Sequence, residues 1–345
     1  MDKTDQHIIE TLFRQEGLSR AELMERMSLT LSEASLKRRL RDLAENGRIE
    51  VLGRGRATRY KLSPAGGLLS TVDLEAYFNM PEGKRCQYTA FNFRLMEEVL
   101  PYVEIFTAAE REQLDALQAQ FAENLKMQSP EGRRKEMKRL GIDLSWKSSQ
   151  IEGNTYTLLE TEQLLLEQRE AEGRSREEAT MLLNHKQALD FILAQPDFFM
   201  ALSVSHIEHI HSLLISELGV ERNIRRRRVG IIGTDYQPLD NEFQIREALE
   251  TTCRLVNAAP CVYTKALLTL ALLSYIQAFT DGNKRTARIC ANGILLAHGC
   301  CPLSFRTVEP IDYKKAMLLF YERNNLSALK KMFMEQVEYA VSTYF

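Results

Sequence analysis

At 345 residues, 44% hydrophobic and 27% charged, the chain is long enough for two or three domains with ample core in each. Its 45 Lys and Arg nearly balance 47 Asp and Glu, for a net charge of −2 and a pI near 6.4, so global charge points to no polyanionic partner. No run of about 18 apolar residues occurs, which predicts no membrane span, and Met1-Asp2-Lys3-Thr4-Asp5 lacks the apolar core of a signal peptide. The cysteines (Cys86, Cys253, Cys261, Cys290, Cys300 and Cys301) form no CxxC pair, so free thiols in a reducing cytoplasm are expected.

Residues 5–62 read as a compact unit. Gln6–Gln15 predicts a helix with Ile8, Ile9, Leu12 and Phe13 on one face, and Ser19-Arg20-Ala21-Glu22 is a capping box opening a second helix through Met27. After Leu29-Thr30-Leu31, Ser32 caps a third helix that ends at Asn46-Gly47. Residues 48–52 alternate as a strand, Gly53-Arg54-Gly55-Arg56 turns, and residues 58–62 return. Three helices followed by a basic hairpin resemble a winged helix-turn-helix. From Lys37 to Lys61, nine basic residues stand against Asp42, Glu45 and Glu50. Lys37, Arg38 and Arg41 on the third helix, with Arg54 and Arg56 on the wing, are therefore the candidate duplex-DNA contacts. A protein-docking winged helix with solvated arginines is the alternative.

Ser63-Pro64-Ala65-Gly66-Gly67 breaks the pattern. The expected organisation is a winged helix over 1–63, a wrapping segment over 64–105, and a helical unit over 106–345. In that unit, helices are predicted over 107–126, 131–151, 158–171, 175–193, 203–217, 242–257, 264–278 and 283–298, with two more after Asp312. Residues 228–236 are the one β-hairpin candidate, with Gly233 in the turn. His206 and His209 share a helix side but His211 points away, and no acidic or cysteine ligand stands nearby, so a zinc site is not expected.

The stretch Phe279-Thr280-Asp281-Gly282-Asn283-Lys284-Arg285-Thr286-Ala287-Arg288 lies between two apolar helical patterns, as a sharp turn at a helix N-terminus. Free N–H groups and the helix dipole make such a turn an anion site, and Arg285 and Arg288, at i and i+3, can lean over one face to clamp phosphate oxygens. Asp281 beside that anion would be anomalous unless it held a cation, for which Mg²⁺ bridging to phosphate is the natural candidate. The stretch resembles the Fic (Fido) family motif His-Pro-Phe-x-Asp-Gly-Asn-Gly/Lys-Arg-x-x-Arg, without a gap from Phe279 to Arg288. The family's histidine falls on Gln277 and its proline on Ala278.

The resemblance implies a mainly α fold: an all-α Fic core with a short β-hairpin flap, behind the α+β winged helix. It also implies transfer of AMP from ATP, with Mg²⁺, to a hydroxyl of a target protein. The nucleotide-binding residues would be Gly282, Asn283, Lys284, Arg285 and Arg288, and Asp281 the metal ligand. Asn283 and Gln277 fall at the catalytic positions. The motif histidine's implied role is general base, and a glutamine amide cannot take a proton near neutrality. The hairpin carrying Gly233, Thr234, Asp235 and Tyr236 matches the family's flap, which docks the target backbone. The preceding Arg225–Arg228 run either helps hold nucleotide or partner, or is simply solvated.

Ser148-Ser149-Gln150-Ile151-Glu152-Gly153-Asn154 resembles the family's inhibitory helix, (Ser/Thr)-x-x-x-Glu-Gly-Asn, here around 145–154. Glu152 is expected to pair bidentately with Arg288 and take the γ-phosphate position, with Ser148, Gly153 and Asn154 completing the motif. Two functions compete: a catalytically impaired, autoinhibited nucleotide sensor governing a DNA-binding regulator, and an active AMP-transferase. The expected setting is cytoplasmic, away from membranes, with a homodimer left open.

Overall fold

The computed structural model describes residues 3–27, 32–85 and 88–345. The Leu29–Leu31 segment and Cys86 lie outside the described residues.

Helices α1 (Lys3–Arg14), α2 (Arg20–Met27) and α3 (Glu33–Glu45) precede strands β1 (Ile49–Leu52) and β2 (Arg59–Leu62). Local chemistry sets the ends. Ser19 and Glu22 hydrogen-bond reciprocally ahead of α2, and the Ser32 hydroxyl accepts from Ser35 N (3.2 Å) at the start of α3. The strands pair antiparallel, with Ile49 opposite Leu62 and Leu52 opposite Arg59. Ile8, Leu12, Leu23, Leu36, Leu40 and Tyr60 close a core of their own.

Residues 64–105 contain α4 (Pro64–Leu69), α5 (Leu74–Phe78) and α6 (Glu82–Arg85). The remaining helices are α7 (Ala108–Met127), α8 (Pro130–Ile151), α9 (Leu158–Glu167), α10 (Arg176–Ala194), α11 (Val204–Leu214), α12 (Glu242–Ala258), α13 (Val262–Ile276), α14 (Asn283–Ala297), α15 (Pro310–Arg323) and α16 (Ser327–Tyr344). Capping boxes at Thr107/Glu110, Thr157/Glu160 and Ser175/Glu178 start α7, α9 and α10. Helix α13 is buried on all sides from Ala266 to Ile276, as its continuous apolar sequence requires, and α14 packs along it. Gly293 lets α14 meet Phe199, whose ring carbon would lie 2.3 Å from an added Cβ.

Residues 228–236 correct one expectation. They form a turn around Ile232-Gly233 but no strand ladder. The segment is anchored from outside: Gln237 makes an isolated parallel bridge with Ala90, and its N–H donates to Thr89 O (2.9 Å). Two short arms separated by glycine lack enough cross-strand pairs to hold a hairpin alone. Among the described residues no helix is long and apolar enough to cross a membrane.

Candidate nucleotide site

The site begins at the turn between α13 and α14. Gln277 ends α13 in the left-handed conformation (φ 52°), its N–H still bonded to Leu273 O (3.3 Å). Gly282 is also left-handed (φ 81°), and a Cβ there would lie 3.2 Å from Ile215 and 3.4 Å from His211, so glycine is the residue that fits. Asn283 staples the turn: its amide donates to Phe279 O (2.8 Å) and accepts from Phe279 N (2.9 Å). Beneath it His211 stacks flat on Phe279, ring centroids 3.6 Å apart, with Nε2 3.0 Å from Asp281 O. Burial depresses the His211 pKa to about 4, so the ring is a neutral support.

No side chain caps the N-terminus of α14, which leaves first-turn N–H groups for an anion. Arg285 is buried and donates Nη2 to Asp281 (2.8 Å), while its Nε and Nη1 have no partner. Those orphaned donors fit the charge of a phosphate, since buried guanidinium N–H groups are normally satisfied. Asp281 is 61% exposed at its side chain. A single accessible carboxylate matches the way Mg²⁺ is held together with substrate phosphates. Among the described residues no three His, Cys, Asp or Glu side chains could hold a metal ion by themselves.

Opposite the turn stands the end of α8. Glu152 is its C-cap, Gly153 follows at φ 98°, and Gly153 N and Asn154 N bond to Gln150 O and Ser149 O, both at 3.0 Å. This is a Schellman ending, and it explains the Glu-Gly-Asn order: the glycine reverses the chain so the preceding side chain projects beyond the helix. The Asn154 side chain ties the reversal to Glu178 O (2.9 Å) and Tyr156 N (3.0 Å).

Glu152 is not bidentate on Arg288, which corrects the expected pairing. One carboxylate oxygen takes Arg288 Nη2 and the other Lys284 Nζ, each at 2.7 Å. Arg288 is prevented from a fork geometry because its Nε and Nη2 also donate to Ser148 Oγ (2.8 Å) and Ser148 O (2.9 Å). Burial alone would raise the Glu152 pKa, but Arg288 and Lys284 outweigh it and hold the carboxyl at about 2, against an ordinary 4.5. A depressed carboxylate contributes stability that is complete above its unfolded pKa and fades as pH falls toward the folded one. We therefore expect Glu152→Gln to be less stable than the parent by on the order of 3 kcal/mol at pH 7. In urea unfolding the gap should narrow from pH 5 to pH 3. A gap independent of pH would mean that the carboxylate charge is not what stabilises this contact.

Gln277 faces the same cleft, of about 640 Å³, lined also by Ile231, Asp281, Tyr313 and Tyr321. Its side-chain amide is folded back, Nε2 donating to Ser274 O (2.7 Å), and the Gln277 backbone carbonyl accepts from Arg225 Nε (2.6 Å). Arg225 thus differs from its neighbours in the basic run. It is fully buried and also bonds Leu239 O and Arg227 O, whereas Arg226, Arg227 and Arg228 are exposed and pair with Glu242, Glu221 and Asp240. Gly233 (φ 90°) turns the flap beside Leu318 and Lys314 of α15, Thr234 Oγ1 accepts from Tyr236 N (3.1 Å), and the buried Tyr236 hydroxyl donates to Tyr275 O (2.9 Å). Asp235 lies near Gly83 and is not among the cleft-lining residues. His206 and His209 pack on Phe198 and Phe191.

On the winged helix, Lys37, Arg38, Arg41, Arg54 and Arg56 are all exposed. Arg41 lies within 3.7 Å of Asp42 and Glu45, while Lys61 and Arg39 are engaged by Glu50 and Asp5.

Sequence reasoning missed the roles of Lys284 as second anchor of Glu152, Ser148 as acceptor for Arg288, and Arg225 as strut behind Gln277. It also missed the hold of Arg85 and Thr89 on the flap. Each depends on partners far away in sequence.

Residues 201–295 match the Fic/DOC family, and residues 1–50 match the winged helix-turn-helix DNA-binding family. The protein adenylyltransferase Fic of Nematostella vectensis is 28% identical over 174 residues, covering 49% of this chain and 40% of that protein. The Drosophila melanogaster protein of the same name is 26% identical over 163 residues, covering 44% and 32%. The match thus spans less than half the length of these curated relatives. Among solved structures, a Fic-1 fragment from C. elegans aligns with a TM-score of 0.61 at 19% identity, covering 99% of this chain and 96% of that one. A Fic domain containing signaling protein from Bacteroides thetaiotaomicron aligns at 0.55 and 17%, covering 67% and 96%. With the turn, the helical core and the wing in place, the chain carries a Fic/DOC-family domain in a mainly α Fic fold, behind an N-terminal winged helix-turn-helix.

Proposed function

We propose that the core binds ATP or a related nucleotide with Mg²⁺, that Glu152 holds it off, and that catalysis is impaired, so that the chain works as a cytoplasmic DNA-binding regulator or nucleotide sensor. In this reading a winged helix over 1–63 reads duplex DNA, residues 64–105 wrap between, and the Fic unit over 106–345 senses the nucleotide, with the flap as a docking edge for a target protein. The carrying observation is the pairing of an intact cradle with an inert base position: the Gln277 amide folds back onto Ser274 O, while Arg288 and Lys284 are occupied by Glu152. An amide neither titrates nor accepts the proton of an incoming hydroxyl. Triphosphate oxygens would compete with the Glu152 carboxylate for Arg288, whose Nε and Nη2 are held by Ser148 and Glu152 while its Nη1 is buried without a partner. Bound Mg²⁺, held by Asp281 with phosphate oxygens, would supply charge neutralisation.

The second reading, an active AMP-transferase, is favoured by the orphaned Arg285 donors and the accessible Asp281, which leave phosphate positioning complete.

A thermal-shift titration tests the cradle. ATP with Mg²⁺ at about a hundredfold excess over Kd should raise Tm by roughly 4–5 °C. Glu152→Gly should enlarge the shift by freeing Arg288 and Lys284, and Arg285→Ala should abolish it. An unchanged shift in Glu152→Gly would overturn the opposition of Glu152 to the nucleotide.

A further inference from the structure

The wrapping segment connects two surfaces that the function above treats separately. At the C-terminal end of α15, Glu322 and Arg323 are consecutive buried residues of opposite charge that face different partners. Arg323 turns to the winged helix. Its guanidinium lies 3.2 Å from the Phe13 ring centroid and its Nη1 bonds Glu10 (3.1 Å), both on α1. Glu322 turns to the wrapping segment. Its oxygens take Arg85 Nε (3.1 Å) and Nη2 (3.3 Å), and the Tyr77 hydroxyl (2.7 Å). Arg85 Nη2 then reaches the carbonyl of Gly233, at the flap's turn, at 2.5 Å. Tyr77 joins the two halves, because its ring also lies 5.4 Å from the Arg323 guanidinium.

We propose that Glu322 and Arg323 form the link through which the winged helix and the flap of the cleft sense each other. Two features support transmission rather than passive packing. Glu322 is fully buried and Arg85 and Arg323 nearly so, so withdrawing a charged partner from the Glu322 carboxylate is costly and favours keeping these contacts in place. The flap has no strand ladder of its own and depends on this segment, through Arg85 on Gly233 O and Thr89 O on Gln237 N. Beside the Arg323 contact a cleft of about 340 Å³, lined by Phe13, Lys61, Tyr88 and Asn92, opens between winged helix and core. A load on the winged helix, such as duplex DNA, can therefore reach the flap through Arg323, beside the Arg14–Met80 contact and the β2–α4 junction. By reciprocity a ligand that reorders the flap changes DNA affinity by the same factor. That consequence rests on the nucleotide and DNA reading above, whereas the link itself does not.

Amide hydrogen exchange on the full chain separates the two. The reporters are the N–H groups of Gln237, bonded to Thr89 O, and of Tyr88, bonded to Glu322 O, each at 2.9 Å. Glu10→Ala with Phe13→Ala removes both α1 contacts to Arg323 and changes no residue outside the winged helix. It should accelerate exchange at Gln237 and Tyr88 about threefold or more, within the range expected for coupling through side-chain networks. Arg85→Gln should do so at Gln237 without loosening α1. A control, Arg111→Gln, which breaks the exposed pair with Glu104, should leave both amides unchanged. Unaltered Gln237 exchange in the Glu10/Phe13 variant would overturn the link, whether or not DNA or ATP binds. If the link holds but added duplex leaves Gln237 unmoved, DNA as the load is what fails.

Discussion

Glu152→Gly combined with Gln277→His is expected to transfer AMP roughly 10²–10⁴ times faster than Glu152→Gly alone, the range associated with a positioned general base. Removing Glu152 frees Arg288 and Lys284 for phosphate oxygens but supplies nothing to accept the proton of an attacking hydroxyl. Gln277 sits at φ 52°, a region that histidine enters more readily than most residues, so the substitution does not strain the turn. Arg225 bonds the backbone carbonyl of residue 277 and, through its own N–H, Ala278 O (3.0 Å), and neither contact depends on the side chain exchanged. Alanine at 278, where the family motif has proline, leaves the imidazole less tightly aimed, which favours the lower end of the range. Intact-mass measurement of self-modification and of a lysate, with ATP and Mg²⁺, reads the result. Rapid transfer by Glu152→Gly with Gln277 in place would overturn the impaired reading. Since Asp235 is turned away near Gly83, a substrate-assisted route would then be the first place to look for the base.

Duplex binding by the winged helix should weaken about 500-fold between 50 and 200 mM salt if the five exposed cations Lys37, Arg38, Arg41, Arg54 and Arg56 each neutralise one phosphate, for a log–log slope of about −4.5. Arg54→Ala with Arg56→Ala should flatten that slope by about 2 and weaken binding similarly on all sequences, as expected for wing contacts to the backbone. Substitutions at Lys37 or Arg38 should instead alter the preference among sequences, because α3 is the helix placed to enter the major groove. Arg41 is held loosely by Asp42 and Glu45, at 3.6 and 3.7 Å, and such exposed pairs yield readily to phosphate. Fluorescence anisotropy with genomic fragments at low salt measures all three. Absence of binding there would favour a winged helix that docks protein.

Capped helix starts, the turn between α13 and α14 and the reversal after α8 were legible in the sequence because their chemistry is local, whereas α9 and α11 end at Glu167 and Leu214, short of the expected 171 and 217. Ser19 with Glu22, Gly282 with Asn283, and Glu152 with Gly153 and Asn154 act within a few residues of one another, so spacing alone determines what they can do. The absence of a titratable group at 277 was equally plain, because it follows from residue identity. Tertiary structure decided the rest. Glu152 divides itself between Lys284 and Arg288 because Ser148, four residues earlier on α8, already occupies two donors of Arg288, a competition that needs α8 and α14 side by side. Four consecutive arginines look alike on paper, yet the first is a buried strut and the next three are solvated, since the path of the chain past Gln277 buries only Arg225. The flap reads as a hairpin by composition but is held by Arg85 and Thr89, more than a hundred residues upstream. Periodicity and capping report what a segment does with its neighbours, whereas the pairing of buried charges depends on which helices the core brings into contact.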